Sequence, residues 1–180
     1  MSSWVHHGSK TAYENNWIRI REDRVTTPNG KPGIYGVIEF RHDSAYAVPV
    51  TSDHRFILAK QFRYPLGIET WEFPSGQSEE DDPIAGARRE MLEETGYTSR
   101  DATHLATLSA INGLSSARVH VVLAENATQV TSELDPNDGI LDVQEFTDEQ
   151  VSAMITGGEL ICPHSISAFH IAVSALRKQI

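Results

Sequence analysis

Three glutamates lie close together near the middle of the chain, in the segment from Pro83 to Thr95. If this segment is a helix, Glu90, Glu93 and Glu94 stand at positions i, i+3 and i+4, so their carboxylates crowd one face. Each such like-charge pair costs roughly 0.2–0.5 kcal/mol on an exposed helix. A divalent cation reverses the sign of this interaction, and oxygen donors without nearby cysteine or histidine favour Mg²⁺ or Mn²⁺ over zinc. The alternative interpretation is a solvated acidic face.

The sequence marks both ends of this helix. Asp82 can cap free backbone N–H groups, and Pro83 has the fixed φ that suits the first helical position. Gly96 can take the left-handed conformation that closes the last turn. Apolar residues at helical spacing predict a buried stripe; they are Ile84, Ala87, Met91 and Leu92. The register of the three glutamates on the helix is therefore well defined.

The segment from Gly76 to Tyr97, GQSEEDDPIAGARREMLEETGY, resembles the Nudix box. The box runs glycine, five residues, glutamate, seven residues, then Arg-Glu-apolar-x-Glu-Glu-x-Gly-apolar. Its second half matches at every fixed position, namely Arg89, Glu90, Met91, Glu93, Glu94, Gly96 and Tyr97. In the first half, Asp81 stands where the family has glutamate, and the loop after Gly76 is one residue shorter. The resemblance implies the fold and the metal site of this family.

By this resemblance, Glu90, Glu93 and Glu94 hold Mg²⁺, or Mn²⁺ in its place, together with the backbone carbonyl of Ser75. Arg89 orients the glutamates through a charge-assisted bond, which is compatible with an ordinary i, i+4 ion pair. The implied reaction is hydrolysis of a phosphoanhydride. Metal ions neutralise the non-bridging oxygens and lower the pKa of the attacking water, so no covalent nucleophile is needed.

The resemblance extends over residues 12–178 to the ADP-ribose pyrophosphatase and nucleotide-sugar hydrolase branch of the family. The stretches that carry it are ENNWIRIREDRV with GIYGVIEF, QFRYPLGIETWEFPSG, and GGELICPHSISAFHIAV. It implies cleavage of ADP-ribose-like compounds into a nucleoside monophosphate and a sugar phosphate. The alternatives are a Nudix hydrolase of another dinucleotide or coenzyme, and a catalytically weak nucleotide-binding sensor.

Three residues outside the box are candidate substrate contacts by the same resemblance. Trp17 would stack on the base in a partner subunit, or it is simply strand core. Arg63 would contact the diphosphate as a planar bidentate donor, or it is a surface arginine. Glu72 would lie beside metal and substrate, or it is solvated at a strand end.

A general base is expected in the loop ahead of a strand at residues 140–146. Asp138 is nearest in register to the acidic residue of this branch, and Glu133 and Asp135 are its neighbours. Proton transfer from a metal-bound water to a box glutamate, Glu93 first, is the alternative.

The remaining sequence predicts a mixture of strands and helices. Alternating apolar and polar residues predict strands at 17–25, 33–40, 45–50 and 55–62, which turn sequences would join as antiparallel hairpins. Further elements are predicted as strands at 103–109, 117–124 and 140–146 and as helices at 148–155 and 164–176. Residues 76–82 are predicted to be polar and flexible, and 126–139 an exposed loop. The expected fold class is α/β: a Nudix α/β/α sandwich with a mixed β-sheet and an N-terminal antiparallel β extension.

Composition limits the partners of the chain. Its formal net charge of −10 disfavours nucleic acid, and it has no apolar stretch of membrane-spanning length. The single cysteine, Cys162, allows no intrachain disulfide and indicates a cytoplasmic location. We expect a β extension over residues 1–44, with too few apolar positions for its own core, and a hydrolase domain over 45–180. The extension therefore predicts a homodimer. The resemblance implies that the protein acts on a small-molecule nucleoside diphosphate derivative.

Overall fold

The computed structural model describes residues 3–78, 82–134 and 139–178. Its strands are β1 (Val5–Glu14), β2 (Ile18–Thr26), β3 (Pro32–Phe40), β4 (Asp43–Pro49), β5 (Phe56–Arg63), β6 (Ile68–Glu72), β7 (Ser75–Ser78), β8 (Tyr97–Thr98), β9 (Asp101–Ser109), β10 (Arg118–Glu125), β11 (Thr128–Gln129) and β12 (Ile140–Phe146). Its helices are α1 (Pro83–Thr95), α2 (Asp148–Gly157) and α3 (Pro163–Leu176). None of the helices in these ranges has the length and apolar character needed to cross a membrane.

The chain divides into two units by its internal packing. The N-terminal unit comprises Met1–Asp43 and Ser109–Arg118, and the larger unit comprises Ser44–Leu108 and Val119–Ile180. Both units are therefore discontinuous in sequence. The domain boundary expected after residue 44 stays a prediction.

The N-terminal unit contains an antiparallel sheet in the order β1-β2-β3. Strand β1 is absent from the predicted strands, because its sequence VHHGSKTAYE is mostly polar and its side chains are almost all exposed. The segment 109–118 joins this unit through two hydrogen bonds. The Ile38 N–H donates to the Leu114 carbonyl at 2.7 Å, and the Tyr35 hydroxyl donates to the Gly113 carbonyl at 2.7 Å.

The larger unit contains a sheet in the order β7-β4-β10-β9 and another in the order β12-β5-β6. The prediction of successive hairpins is wrong for β4, because β4 pairs in parallel with the distant strand β10 from Ser44 to Pro49. Two local predictions also need correction. The segment Ser75–Ser78, expected to be flexible from residue 76, is strand β7, and the region expected to be a loop from 126 contains β11, paired antiparallel with β8.

Side-chain alternation along the strands creates an apolar layer on each face of the larger unit. One layer packs around α1, and its strand residues include Ala45, Ala47, Ile57, Val122 and Ala124. The other layer packs around α2 and α3, and its strand residues include Val48, Phe56, Leu58, Val121 and Leu123. Because consecutive strand residues face opposite sides, the same strands serve both layers. The predicted mixed α/β sandwich is confirmed.

Helix α1 has the predicted bounds and caps. The Asp82 carboxylate accepts a hydrogen bond from the Ile84 N–H at 2.9 Å, and Gly96 has a left-handed φ of 72°. The predicted stripe is wrong at Leu92, which is 41% exposed. The buried face instead includes Glu94 and Thr95 at the C-terminal end of α1, where Glu94 contacts Ser75 of β7.

Candidate active site

Glu94 occupies a position that a core residue would normally take. It is 7% exposed, and its Oε2 accepts a hydrogen bond from the Ser75 N–H at 2.8 Å. Burial of a carboxylate is costly unless hydrogen bonds compensate for lost water. This contact fixes the C-terminal end of α1 against β7, the strand at which the resemblance placed a metal-binding carbonyl.

Glu90 lies against the same strand at Gly76. Its side chain is 13% exposed. A Cβ atom added to Gly76 would lie 2.3–2.5 Å from the three carboxylate atoms of Glu90, which is far inside van der Waals contact. Only glycine leaves room for the carboxylate here. The missing side chain at Gly76 therefore makes room for Glu90, a role that sequence reasoning missed.

Arg89 connects β7 to two of the glutamates. Its guanidinium donates to the Gln77 carbonyl at 2.9 Å and to Glu93 Oε2 at 2.8 Å, and it lies 2.8 Å from Glu90 Oε1. Burial lowers the pKa of Arg89, but the charges of Glu90 and Glu93 outweigh this and raise it. The predicted i, i+4 pair is present, and the Gln77 carbonyl is an anchor that no pattern in the sequence indicates.

The donor chemistry at this site fits a hard divalent cation. The glutamates supply only oxygen donors, and two of them are largely buried against the backbone of β7. Within the described ranges, however, no three histidine, cysteine, aspartate or glutamate side chains converge as a ready-made metal-binding group. Instead, Arg89 forms ion pairs with Glu90 and Glu93, and the Ser75 N–H donates a hydrogen bond to Glu94.

Arg63 and Glu72 form a bidentate ion pair across neighbouring strands β5 and β6. Arg63 Nε donates to Glu72 Oε1 at 2.8 Å, and Nη2 donates to Oε2 at 2.7 Å. The Glu72 side chain is 4% exposed, so the interpretation of a solvated strand-end glutamate is wrong. Hydrogen bonding to Glu72 raises the pKa of Arg63, and the charges of Glu72 and Glu94 raise it further despite burial. Both residues therefore belong to the electrostatic surroundings of the box glutamates.

Tyr46 on β4 is a site neighbour that the sequence did not indicate. Its hydroxyl lies 3.6 Å from the Cys162 sulfur, and its ring is tilted against His164 at a centroid distance of 5.7 Å. Burial raises the pKa of Tyr46 well above its usual range, and the nearby Cys162 raises it further. Tyr46 is therefore a neutral phenol. Its hydrogen bond with Ser75 is a smaller, opposing influence on this pKa.

The other predicted residues lie elsewhere. Trp17 belongs to the N-terminal unit, immediately before β2, and is 65% exposed, so it is not a core residue of the chain. Its backbone N–H donates to the Asn15 side-chain oxygen at 2.9 Å. Asp138 and Asp135 lie outside the described residues. Glu133 is exposed, and its backbone N–H donates to the Thr131 hydroxyl at 3.0 Å.

Two family models match the chain. The model of the NUDIX domain matches residues 40–159, and the model of the nucleoside diphosphate sugar hydrolase N-terminal domain matches residues 4–38. The chain therefore belongs to the Nudix family.

Similar proteins narrow the class of activity. The chain is 35% identical to the ADP-ribose pyrophosphatase of Bacillus subtilis over 79% of its own length and 78% of that protein. It is 32% identical to the ADP-sugar pyrophosphatase of Mus musculus over 70% of its own length and 65% of that protein. A crystal structure described as ADP compounds hydrolase has the same fold, with a TM-score of 0.86, 17% identity, and coverage of 98% of this chain and 95% of the other. The chain is thus an enzyme, a Nudix pyrophosphohydrolase.

Proposed function

We propose that this enzyme is a Mg²⁺-dependent hydrolase of the pyrophosphate in ADP-ribose and related nucleoside diphosphate sugars. The observation that carries the proposal is the packing of α1 against β7, in which Glu90 and Glu94 lie directly on the backbone of Ser75 and Gly76. Two curated relatives whose names specify ADP-ribose or ADP-sugar support the choice of substrate.

Glu90, Glu93, Glu94 and the Ser75 carbonyl would hold the divalent ion. A Mg²⁺ ion bound there would neutralise charge on the phosphate oxygens and would lower the pKa of the attacking water. All three glutamates project from one face of α1, so side-chain rotation suffices to recruit them. Without a bound ion, Arg89 donates to the Gln77 carbonyl and keeps Glu90 and Glu93 at that face through its ion pairs with them.

Arg63 is proposed to bind the diphosphate. Its ion pair with Glu72 uses two of the five N–H donors of the guanidinium, so the group retains donors for phosphate oxygens. Glu72 then sets the orientation of Arg63 and does not need to contact the substrate itself. Trp17 is proposed to stack on the base and Asp138 to accept a proton from the attacking water, both by family resemblance.

We also propose a homodimer formed partly by the N-terminal β extension. Large apolar side chains are exposed in the N-terminal unit; they are Trp4, Val5, Tyr13, Trp17, Ile34 and Phe40. Exposed apolar side chains in this number favour association with a second copy. The single cysteine is consistent with the proposed cytoplasmic location.

A substrate panel tests the proposed function. Purified protein is incubated with ADP-ribose, other nucleotide sugars and dinucleotides in Mg²⁺, and the released nucleoside monophosphate is measured. We expect the highest kcat/KM with ADP-ribose or an ADP-sugar, no turnover in excess chelator, and a kcat at least ~100-fold lower for Glu94→Gln. The amide oxygen introduced by Glu94→Gln can still accept the Ser75 hydrogen bond, so this variant should fold, and a cooperative unfolding transition in chelator checks this.

Different outcomes would contradict different parts of the proposal. Activity that persists in excess chelator would eliminate the metal requirement. Preferential cleavage of a dinucleotide or coenzyme would replace the substrate, and tight binding of ADP-ribose without turnover would indicate a sensor.

A further inference from the structure

Two histidines face each other on adjacent strands of the larger unit, away from the box glutamates in sequence. His104 lies on β9 and His120 on β10, and their Nε2 and Nδ1 atoms are 3.3 Å apart. The Thr107 hydroxyl lies 3.2 Å from each of these nitrogens. Nothing in the proposed hydrolysis uses this group of three side chains.

We propose that His104 Nε2 and His120 Nδ1 form a binding site for Zn²⁺ or a similar borderline divalent ion. The distances carry this inference. A tetrahedral zinc ion lies about 2.0–2.1 Å from each imidazole nitrogen, which separates two ligands by about 3.3–3.4 Å. The separation of 3.3 Å between the two ring nitrogens matches this value. With the Thr107 hydroxyl, the three atoms form a nearly equilateral triangle, like one face of a coordination tetrahedron.

The donor type distinguishes this site from the box glutamates. Neutral imidazole suits zinc, copper and nickel, whereas Mg²⁺ prefers oxygen ligands. In neutral histidine, either ring nitrogen can carry the proton, so both facing nitrogens can present lone pairs to an ion without a change in net charge. The strongly negative net charge of the chain further favours a cation.

The site would join the last two strands of a sheet. β9 lies at the end of the described order β7-β4-β10-β9, so it has a hydrogen-bonded neighbour only on the β10 side within that order. An ion shared by His104 and His120 cross-links these strands. Since an ion that binds only the folded state stabilises it, Zn²⁺ should raise the melting temperature of the protein.

The test is a Zn²⁺ titration of the full chain in excess Mg²⁺, which occupies carboxylate sites but competes poorly for imidazole. Resonances of the histidine ring nitrogens in ¹⁵N-labelled wild-type protein report the ligands directly. We expect His104 Nε2 and His120 Nδ1 to shift on saturation. We also expect His104→Ala and His120→Ala each to weaken Zn²⁺ binding by at least about tenfold and to remove the Zn²⁺-dependent rise in melting temperature.

His170→Ala is the matched control, because this exposed histidine lies on α3 and not on β9 or β10. It should bind Zn²⁺ like wild type. Unchanged His104 and His120 resonances at saturating Zn²⁺ would overturn the proposal, as would equal affinity of wild type and His104→Ala. The spectrum of the wild-type protein alone shows whether His104 and His120 bind Zn²⁺, so the test does not depend on the folding of a variant. It also does not depend on hydrolase activity.

Discussion

At the scale of single residues, the site depends on close contact between side chains of α1 and the backbone of β7. Glu90 and Glu94 both lie against the Ser75–Gly76 backbone, one by close packing and the other by a hydrogen bond. Small displacements of these two carboxylates should reduce the rate of hydrolysis more than the stability of the fold. The charged ends of the side chains can move while the apolar face of α1 stays packed.

Gly76→Ala tests this distinction. The new methyl group would overlap the Glu90 carboxylate, which can move away because it is the end of a flexible side chain. We expect kcat to fall by about 10–100-fold, since the carboxylate is displaced, while the melting temperature changes little. Enzyme assays in saturating Mg²⁺ and calorimetry measure the two effects.

Gly36→Ala is the control, because a Cβ atom at Gly36 meets nothing within 4 Å. It should retain wild-type activity. Wild-type activity in Gly76→Ala as well would show that the position of the Glu90 carboxylate does not matter for turnover.

The proton acceptor is a second question at this scale. If Asp138 is the general base, Asp138→Asn should reduce kcat strongly with little change in KM, as expected for an interaction made mainly in the transition state. Glu133→Gln should have a smaller effect. Steady-state kinetics with ADP-ribose measure both. If both variants keep the wild-type kcat, proton transfer belongs to the box glutamates, Glu93 first.

At the scale of elements, an ion-pair network holds together β2 and β3 of the N-terminal unit. Arg19 donates to Glu39, and Arg21 bonds both to Glu39 and to Asp23. Hydrogen bonds from Arg19 lower the pKa of Glu39, and those from Arg21 and Ser9 lower the pKa of Asp23. Both carboxylates are therefore more acidic in the folded state than in the unfolded chain.

This shift predicts the pH dependence of the contribution of Glu39. A lowered folded pKa means that the stabilisation is complete above the unfolded pKa of about 4.3 and is lost as the pH falls through the folded value. Wild type should thus exceed Glu39→Gln in stability at pH 7, and the difference should shrink in acid. Urea unfolding at fixed protein concentration measures the difference at each pH.

Glu22→Gln provides the comparison, because Glu22 pairs with the exposed Lys10 at 2.8 Å. Exposed pairs of this kind contribute little. Its stability should remain close to that of wild type across the same pH range. A difference between wild type and Glu39→Gln that grows in acid would contradict the lowered pKa.

The elements that the sequence predicts well are those that local chemistry determines. Helix α1 has its expected ends because Asp82 and Pro83 act on its first turn and Gly96 acts on its last turn. The prediction for Leu92 is wrong because its exposure depends on what packs against α1 and not on helical spacing. Strand β1 is not predicted because its residues do not alternate between apolar and polar. It forms through pairing with β2.

In the site, too, local features are predictable from the sequence, whereas contacts between distant segments are not. Helical spacing places the three box glutamates on one face, and the resemblance to the Nudix box adds Arg89 to them. The i, i+4 pair of Arg89 with Glu93 is present. Spacing does not predict the bidentate pair of Arg63 with Glu72 or the proximity of Tyr46 to Cys162, since these contacts require β4, β5, β6 and α3 to be assembled. Contacts between distant segments leave no periodic trace in the sequence.

At the scale of the whole molecule, the exposed apolar side chains of the N-terminal unit bear on oligomeric state. Ile34 is 69% exposed on β3. We expect wild type to have a dimeric mass in light scattering at micromolar concentration. Ile34→Glu should shift the mass toward the monomer, because a charge at the interface would have to be desolvated.

Leu141→Glu is a matched control in the larger unit, since Leu141 on β12 is 54% exposed. This variant should remain dimeric. A monomeric mass for wild type would count against the dimer, and an unchanged mass for Ile34→Glu would place the interface elsewhere.

The discontinuity of both units imposes an order on folding during synthesis. A ribosome releases β1, β2 and β3 long before the segment 109–118 that joins their unit, and it releases β4 long before its parallel neighbour β10. Parallel pairing between distant segments also pays a large loop-closure entropy before it is stabilised. The N-terminal unit cannot be complete before Arg118 has emerged, and the larger unit requires the chain beyond it. A nascent chain arrested at residue 108 would therefore expose incomplete parts of both units and be a natural client for chaperones.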